Sequence, residues 1–430
     1  MHTLTYSQLL KGNRNFRNLL GGQFISELGN WFNFIAGLGL VRAVSGASPT
    51  AAGIYFACRL LPFAFASPIA GAFVDRFSRR QVMIVTDLLR VGVALLFLMV
   101  STADDLWIAY LAMVLLSTFG AFFDGAKNAS TPNLTGKEGL LAGTALMFST
   151  RFLLMAVGSA LGGWTAAMVG YEAAFLVNAA SFAASAYLVW LIPEEATRDK
   201  ETAERRAEAP TVRPSFRSEM REGVRYAFLN HFAFTILIMN VMWATGGGAV
   251  NIIFERAGGV YFAEREAWNP DMAVAILWAA TGLGLTIGML IAHRTSMILD
   301  RRGRHSTFIG WSLLIHGVLF SAAAFMPTLW LFALFVFISR AIVGVEYAIQ
   351  ETLFQQSLPD YIRGRISTID RGAELTVFGA SSYFAALAMF YITPMTLTII
   401  SGILSAAAGI VWFLRNPTEK RFRESSKPFE

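Results

Sequence analysis

Runs of about 20 apolar residues, the length an α-helix needs to cross a bilayer, recur along almost the whole chain, and this repetition constrains the fold more than any motif. Twelve spans are read, at 18–42, 50–74, 81–101, 106–128, 140–168, 171–192, 233–254, 272–295, 305–326, 329–353, 366–391 and 394–414. In lipid, backbone polar groups must be satisfied within the segment, so such spans are helices. The expected fold is an all-α integral membrane protein with twelve transmembrane helices. Only 15% of the residues are charged, against about 25% in soluble domains, which excludes a soluble domain. Short turns at Met326-Pro327-Thr328 and Thr393-Pro394 divide what would otherwise be overlong runs. The one cysteine, Cys58, leaves no internal disulfide and is read as packing. The basic start, with Lys11, Arg14 and Arg17, lacks the apolar core of a cleavable signal peptide.

The net charge of +6 could suggest nucleic acid, and its placement argues against that. With the N-terminus inside, 28 of the 35 Lys and Arg residues fall on cytoplasmic segments. Outside stand only Arg42, Arg256 and Arg265, beside several acids. The basic excess is therefore a topology signal, with both termini cytoplasmic. The organisation expected is an N-terminal six-helix bundle at 1–193, a cytoplasmic linker at 194–229, a C-terminal six-helix bundle at 230–415 and a cytoplasmic tail at 416–430. The linker carries mixed charge with Pro210 and Pro214. It ends in Phe216 to Leu229, where Met220, Val224 and Phe228 recur at helical spacing, as in an interfacial amphipathic helix.

The two halves look duplicated. Asp75-Arg76-x-x-Arg79-Arg80 follows span 2, and Asp300-Arg301-x-x-Arg304-His305 follows span 8. Ser130-Thr131-Pro132-Asn133 and Ser357-Leu358-Pro359-Asp360 form a second pair at nearly the same offset. Two echoes at nearly one offset imply a repeated six-helix unit and two pseudo-symmetric bundles.

The loop Gly71-x-x-x-Asp75-Arg76-x-x-Arg79-Arg80 resembles the signature loop between helices 2 and 3 of the major facilitator superfamily of transporters. Further stretches resemble its drug:proton antiporter branch, which includes macrolide and enterobactin exporters. These are Ser26-Glu27-Leu28-Gly29-Asn30-Trp31, Arg59-Leu60-Leu61-Pro62 with Ser67-Pro68, and Pro359-Asp360-Tyr361-Ile362-Arg363-Gly364-Arg365. The resemblance covers nearly the whole chain. It implies that helices 1, 4, 7 and 10 line a central cavity. It also implies that the gate residues Gly71, Asp75, Arg76, Arg79, Arg80, Asp300, Arg301 and Arg304 control the cytoplasmic side, with Asp75 facing the start of helix 11 near Ser367 and Thr368.

An ionisable side chain inside a membrane is costly and marks function by default. Span 1 carries Gln23, Glu27, Asn30 and Asn33 on one face, which lines either a cavity or a helix–helix contact. Glu27 is the leading proton-coupling candidate, and its alternative is a fixed partner such as Arg340. Glu346, Glu351 and Asp124 are the other coupling candidates, although Asp124 with Lys127 also reads as a structural pair. Trp31, Asn240, Trp243 and Arg340 join Gln23, Asn30 and Asn33 as cavity or substrate candidates. Arg340-x-x-x-Gly344 resembles a family motif usually found in helix 4, where this chain lacks it. Gly246-Gly247-Gly248 suggests either a bend in helix 7 or close packing. The Gly-x-x-x-Gly pairs at Gly158–Gly162 and Gly284–Gly288 allow close helix approach, and the resemblance suggests that they form a sliding interface between the halves. Arg59, Asp87 and Arg90 are expected to form an ion-pair cluster supporting the signature loop.

No phosphate-binding glycine loop, no His/Cys metal spacing and no Gly-x-Ser-x-Gly occurs, so no cofactor, no metal and no enzyme activity are expected. The function expected is alternating-access secondary transport, as proton-coupled export of an amphipathic, drug- or siderophore-like small molecule. Alternatives are an importer or facilitator of a metabolite or lipid, and a transport-inactive membrane sensor or scaffold. The partners expected are a small-molecule substrate, protons and the lipid bilayer, without nucleic acid. The protein is expected to be a monomer in a bacterial-type plasma or inner membrane.

Overall fold

The computed structural model describes residues 4–74, 76–197, 216–416, 418–420 and 422. Its principal helices are α1 (Arg14–Val44), α2 (Pro49–Val74), α3 (Arg79–Leu95), α4 (Leu106–Met168), α5 (Tyr171–Trp190) and α6 (Phe216–Leu229), followed by α7 (His231–Arg256), α8 (Pro270–Arg302), α9 (His305–Ala323), α10 (Leu329–Ser357), α11 (Asp360–Ala388) and α12 (Pro394–Arg415). The described residues contain no strand. Ten segments among them are long and apolar enough to cross a membrane. The other two of the twelve spans are α1 and α11, full-length helices of 31 and 29 residues. At about 1.5 Å per residue both are long enough to cross. They fall short on composition, because α1 carries Gln23, Glu27, Asn30 and Asn33, and α11 carries Asp370, Arg371 and Glu374.

Spans 4 and 5 are both contained in α4, broken where Gly136 takes φ 67°. Residues 129–139 read from sequence as a loop, yet helix continues through Pro132 up to that glycine. The hydroxyls of Ser130, Thr131 and Thr135 donate back to the carbonyls of Ala126, Lys127 and Thr131 at 2.8–2.9 Å. Residues that look loop-like are thereby satisfied by the helix they sit in.

The chain forms two compact units, Met1–Ala47 with Leu61–Arg213 and Ser48–Leu60 with Pro214–Glu430. The first part of α2 belongs to the second unit, where Gly53 lies against Ala386 and Tyr383 of α11. In the first unit, Phe16, Leu19, Met83, Phe123, Val189 and Ile192 form a buried cluster. There α1 packs on the latter part of α4, where Gly158 meets the Trp31 side chain and Gly162 meets the Phe32 backbone. The second unit has its own core, built on Phe232, Ile236, Leu313, Phe354, Ile366 and Trp412. There Gly284, Gly288 and Gly344 bring the backbones of α8 and α10 together.

Both glycine pairs serve close packing inside a unit, where α1 and α10 fill the faces that the glycines open. The Gly246–Gly248 run is likewise used for packing, within an uninterrupted α7. Gly246 faces the Ser401 carbonyl, Gly247 the Phe378 ring and Gly248 the Phe378 carbonyl.

The start of α9 is closed by the segment after α12. Glu419 accepts from the backbone N–H groups of Ser306 and Thr307 at 3.2 and 2.7 Å. First-turn N–H groups have no partner within their own helix, and a carboxylate there also favours the helix dipole. Glu419→Ala is expected to lower stability by about 0.5–2 kcal/mol, the usual cost of losing a cap, as a reduced melting temperature of the purified protein in detergent. An unchanged melting temperature would show that water replaces this carboxylate without loss.

Candidate functional site

In the first unit the polar face of α1 is divided between packing and exposure. Gln23 is buried, and its Nε2 donates to the Met147 carbonyl at 2.8 Å. Its Oε1 and the Oδ1 of buried Asn33 have no hydrogen-bond partner among the described residues. Trp31 is buried against Gly158 and meets Phe34 edge-on at 5.4 Å. Glu27 and Asn30 are half-buried. No ion pair or hydrogen bond engages the Glu27 carboxylate among the described residues.

α3 and α4 each carry an ion pair one turn apart. Asp87 and Arg90 form a fully buried ion pair one turn apart. The Arg90 guanidinium lies 4.7 Å from the Phe123 ring centroid and 4.3 Å from that of Phe182. Lys127 donates to Asp124 at 2.6 Å. Arg59, expected beside Asp87 and Arg90, belongs to the other unit, one turn from Tyr55 on α2.

The signature loop is partly described. Asp75 lies outside the described residues, and with it the expected contact to the start of helix 11. Gly71 and Arg76 are exposed. Ser78 caps α3 by accepting from the Gln81 N–H. Arg79 donates to the carbonyls of Ala129 and Thr197 at 2.8 and 3.3 Å, and Arg80 to that of Trp190 at 2.5 Å. Arg80 thereby sits at the C-terminal end of α5, where a cation is favoured. At the echo, Gly303 ends α8 with φ 61°, and Asp300 lies 3.4 Å from His305. Arg301 and Arg304 are exposed.

In the second unit α7, α10 and α11 join through polar side chains. Gln350 Nε2 donates to Asn240 Oδ1 at 2.9 Å, and Asn240 Nδ2 lies 2.9 and 3.1 Å from the two Asp370 oxygens. Trp243 sits 5.6 Å from Phe378, with its indole N–H unpaired among the described residues. Glu351 accepts from Gln355 at 2.6 Å, and Gln355 also donates to Ser367.

Two buried ionised-type groups on α10 stand apart. Arg340 is 5% exposed, its Nε has no acceptor among the described residues, and its guanidinium lies 5.4 Å from the Phe320 ring. Glu346 is 3% exposed, with Oε1 unpartnered among the described residues. Neither takes part in an ion pair among the described residues. The sequence reading does not include Asp370, Glu374 or His316. His316 is buried on α9, with Nδ1 2.5 Å from Ser339 Oγ, next to Arg340 in the chain. Carboxylates four apart in span 11 were the available signal for Asp370 and Glu374, and a histidine inside span 9 was the signal for His316.

Buried charge set in long apolar helices, with amide and carboxylate side chains joining three of them, defines a polytopic membrane protein with an interior built for polar chemistry. The chain belongs to the Major Facilitator Superfamily, whose family model matches residues 19–367. It is therefore a membrane transporter with twelve helices in two pseudo-symmetric bundles, and its family is not one of enzymes. It is 26% identical over 400 residues to the multidrug efflux pump Tap of Mycolicibacterium fortuitum, covering 89% of this chain and 87% of that one. It is 23% identical over 318 residues to macrolide efflux protein A of Enterococcus faecalis, covering 72% of this chain and 92% of that one. Among solved structures, a D-xylose-proton symporter superposes with a TM-score of 0.70 at 13% identity, covering 96% of this chain and 99% of that one. At that identity the likeness speaks for the fold alone.

Proposed function

We propose that this transporter works by alternating access and exports an amphipathic small molecule in exchange for protons. The observation that carries the reading is the pair of spanning carboxylates, Glu27 and Glu346, that no described cation neutralises. An acid in that setting is a natural proton carrier, since the cost of its charge is relieved by protonation. The likeness to a multidrug and a macrolide efflux protein, over most of each chain, supports export and an amphipathic cargo. Orientation follows from charge: with basic segments inside, both termini are cytoplasmic, the protein sits in a bacterial-type cell membrane, and the loops after α2 and α8 act as gate elements on that side. A monomer suffices for this mechanism.

The test is flux in reconstituted vesicles under an imposed pH gradient, with ethidium and a macrolide as probes. Wild-type protein is expected to move at least one of them in a gradient-dependent way. Glu27→Gln is expected to lower the initial rate at least about tenfold, equivalent to about 1.4 kcal/mol. Equal rates with and without a gradient, unaltered by Glu27→Gln, would remove proton coupling through Glu27.

A further inference from the structure

The buried carboxylate of Asp370 is absent from the candidate set, and its surroundings are specific. It is 8% exposed, on α11. No cation among the described residues pairs with it, and its hydrogen-bond partner is the neutral amide of Asn240 on α7. That amide is held from its other side by Gln350 of α10. The charged and titratable groups around Asp370 are Arg371 and Glu374 on its own helix, and Tyr347 and Glu351 on α10. Arg371 is committed to Glu374 at 2.7 Å, and Glu351 accepts from Gln355. On α6, which also packs against α11, Glu222 is committed to Arg365 at 2.6 Å. A chain of two neutral amides thus links α10 through α7 to one carboxylate on α11.

We propose that Asp370 is a proton-binding site and that Asn240 and Gln350 form the relay that responds to its protonation. The inference rests on the transport reading for the use made of the proton, and not for the site itself. Ionised, Asp370 is only an acceptor, which suits the Asn240 Nδ2 donor. When hydronium gives its proton to one carboxylate oxygen and leaves as water, that oxygen becomes a donor. Asn240 meets the new donor by turning its Oδ1 toward Asp370, which takes that oxygen from Gln350 Nε2. Gln350 then turns to offer its own Oε1 to the Asn240 amide. One proton on α11 in this way reverses the hydrogen bonds joining α7 and α10, one helical turn along α10 from Glu346. The covalent change is one O–H bond broken in hydronium and one formed on Asp370.

Infrared difference spectra of the purified full-length protein between acid and alkaline pH test the site without any cargo. Wild-type protein is expected to show a carboxylic-acid C=O band that is lost in Asp370→Asn and kept in Glu374→Gln. An Asp370→Asn spectrum that keeps the full band overturns the proposal. If Asp370→Asn does not fold, Asn240→Leu decides. With the Asn240 amide removed, the same band is expected to move in frequency, and an unmoved band overturns the relay. Ethidium efflux from vesicles is measured alongside. Wild-type protein that shows the band without efflux counts against the transport reading alone. Gradient-driven efflux at the wild-type rate in Asp370→Asn overturns a part for this site in coupling.

Discussion

Asp87→Ala is expected to cost about 3–5 kcal/mol of stability, because it leaves the Arg90 charge buried with no counter-charge. Asp87 is wholly buried and Arg90 is 3% exposed. The guanidinium is enclosed by the rings of Phe123 and Phe182, so it cannot swing to water without dismantling that packing. The rings offer a cation–π attraction of at most a few kcal/mol, too little to replace a carboxylate in a dry interior. Asp124, another acid that feels the Arg90 charge, is already bound to Lys127. The decisive comparison is with the double variant Asp87→Leu with Arg90→Met, which removes both charges and keeps apolar volume. Replacing a buried pair by apolar groups is often close to neutral, so the double variant should melt well above the single one. The measurement is thermal unfolding of the purified protein in detergent, followed by tryptophan fluorescence. If the single variant melts within a degree of wild type, or if the double is no better than the single, the pair is not what holds these helices.

The helices were legible because a bilayer imposes one length and one composition on any segment that crosses it. Where helix and lipid make conflicting demands, legibility falls. α1 and α11 are the two polar spans, and their polarity is needed where they meet other helices. Asp370 escapes a reading by sequence because Arg371 beside it looks like part of a basic loop. Whether such an acid is exposed or buried depends on where α11 enters the membrane, and on Asn240 and Gln350 lying 130 and 20 residues away along the chain. The glycine pairs show the same limit. Spacing reveals that Gly158 and Gly162 permit close approach, but only tertiary structure shows that α1 makes it. The helix-4 end fails for a local reason, since serine and threonine hydroxyls can bond to their own helix as readily as to a turn.

Gly288→Leu is expected to be destabilising by about 3 kcal/mol, the upper part of the range for overpacked cores, and to displace α10. A Cβ built on Gly288 falls 2.9 Å from both the Gly344 Cα and the Val345 nitrogen. A Cβ on Gly344 would in turn fall 2.8 Å from the Leu285 carbonyl oxygen. The obstacles are backbone atoms on both sides, which cannot yield by a rotamer change, so the two helices must part. Parting them exposes one side of α10, the helix that carries Arg340 and Glu346 with no paired charge among the described residues to hold them in place. The loss should therefore appear twice, as a lower melting temperature and as a fall in gradient-driven ethidium flux. Gly92→Leu in α3 is the control, because beyond its own helix turn no described atom lies within 4 Å of its added Cβ. It removes a glycine from a helix interior, a change worth up to about 1 kcal/mol in the stabilising direction. Equal melting temperatures for Gly288→Leu and Gly92→Leu would mean that α8 and α10 are not held at backbone contact. A Gly288→Leu protein with a lowered melting temperature but full flux would instead separate the packing of α10 from its part in transport.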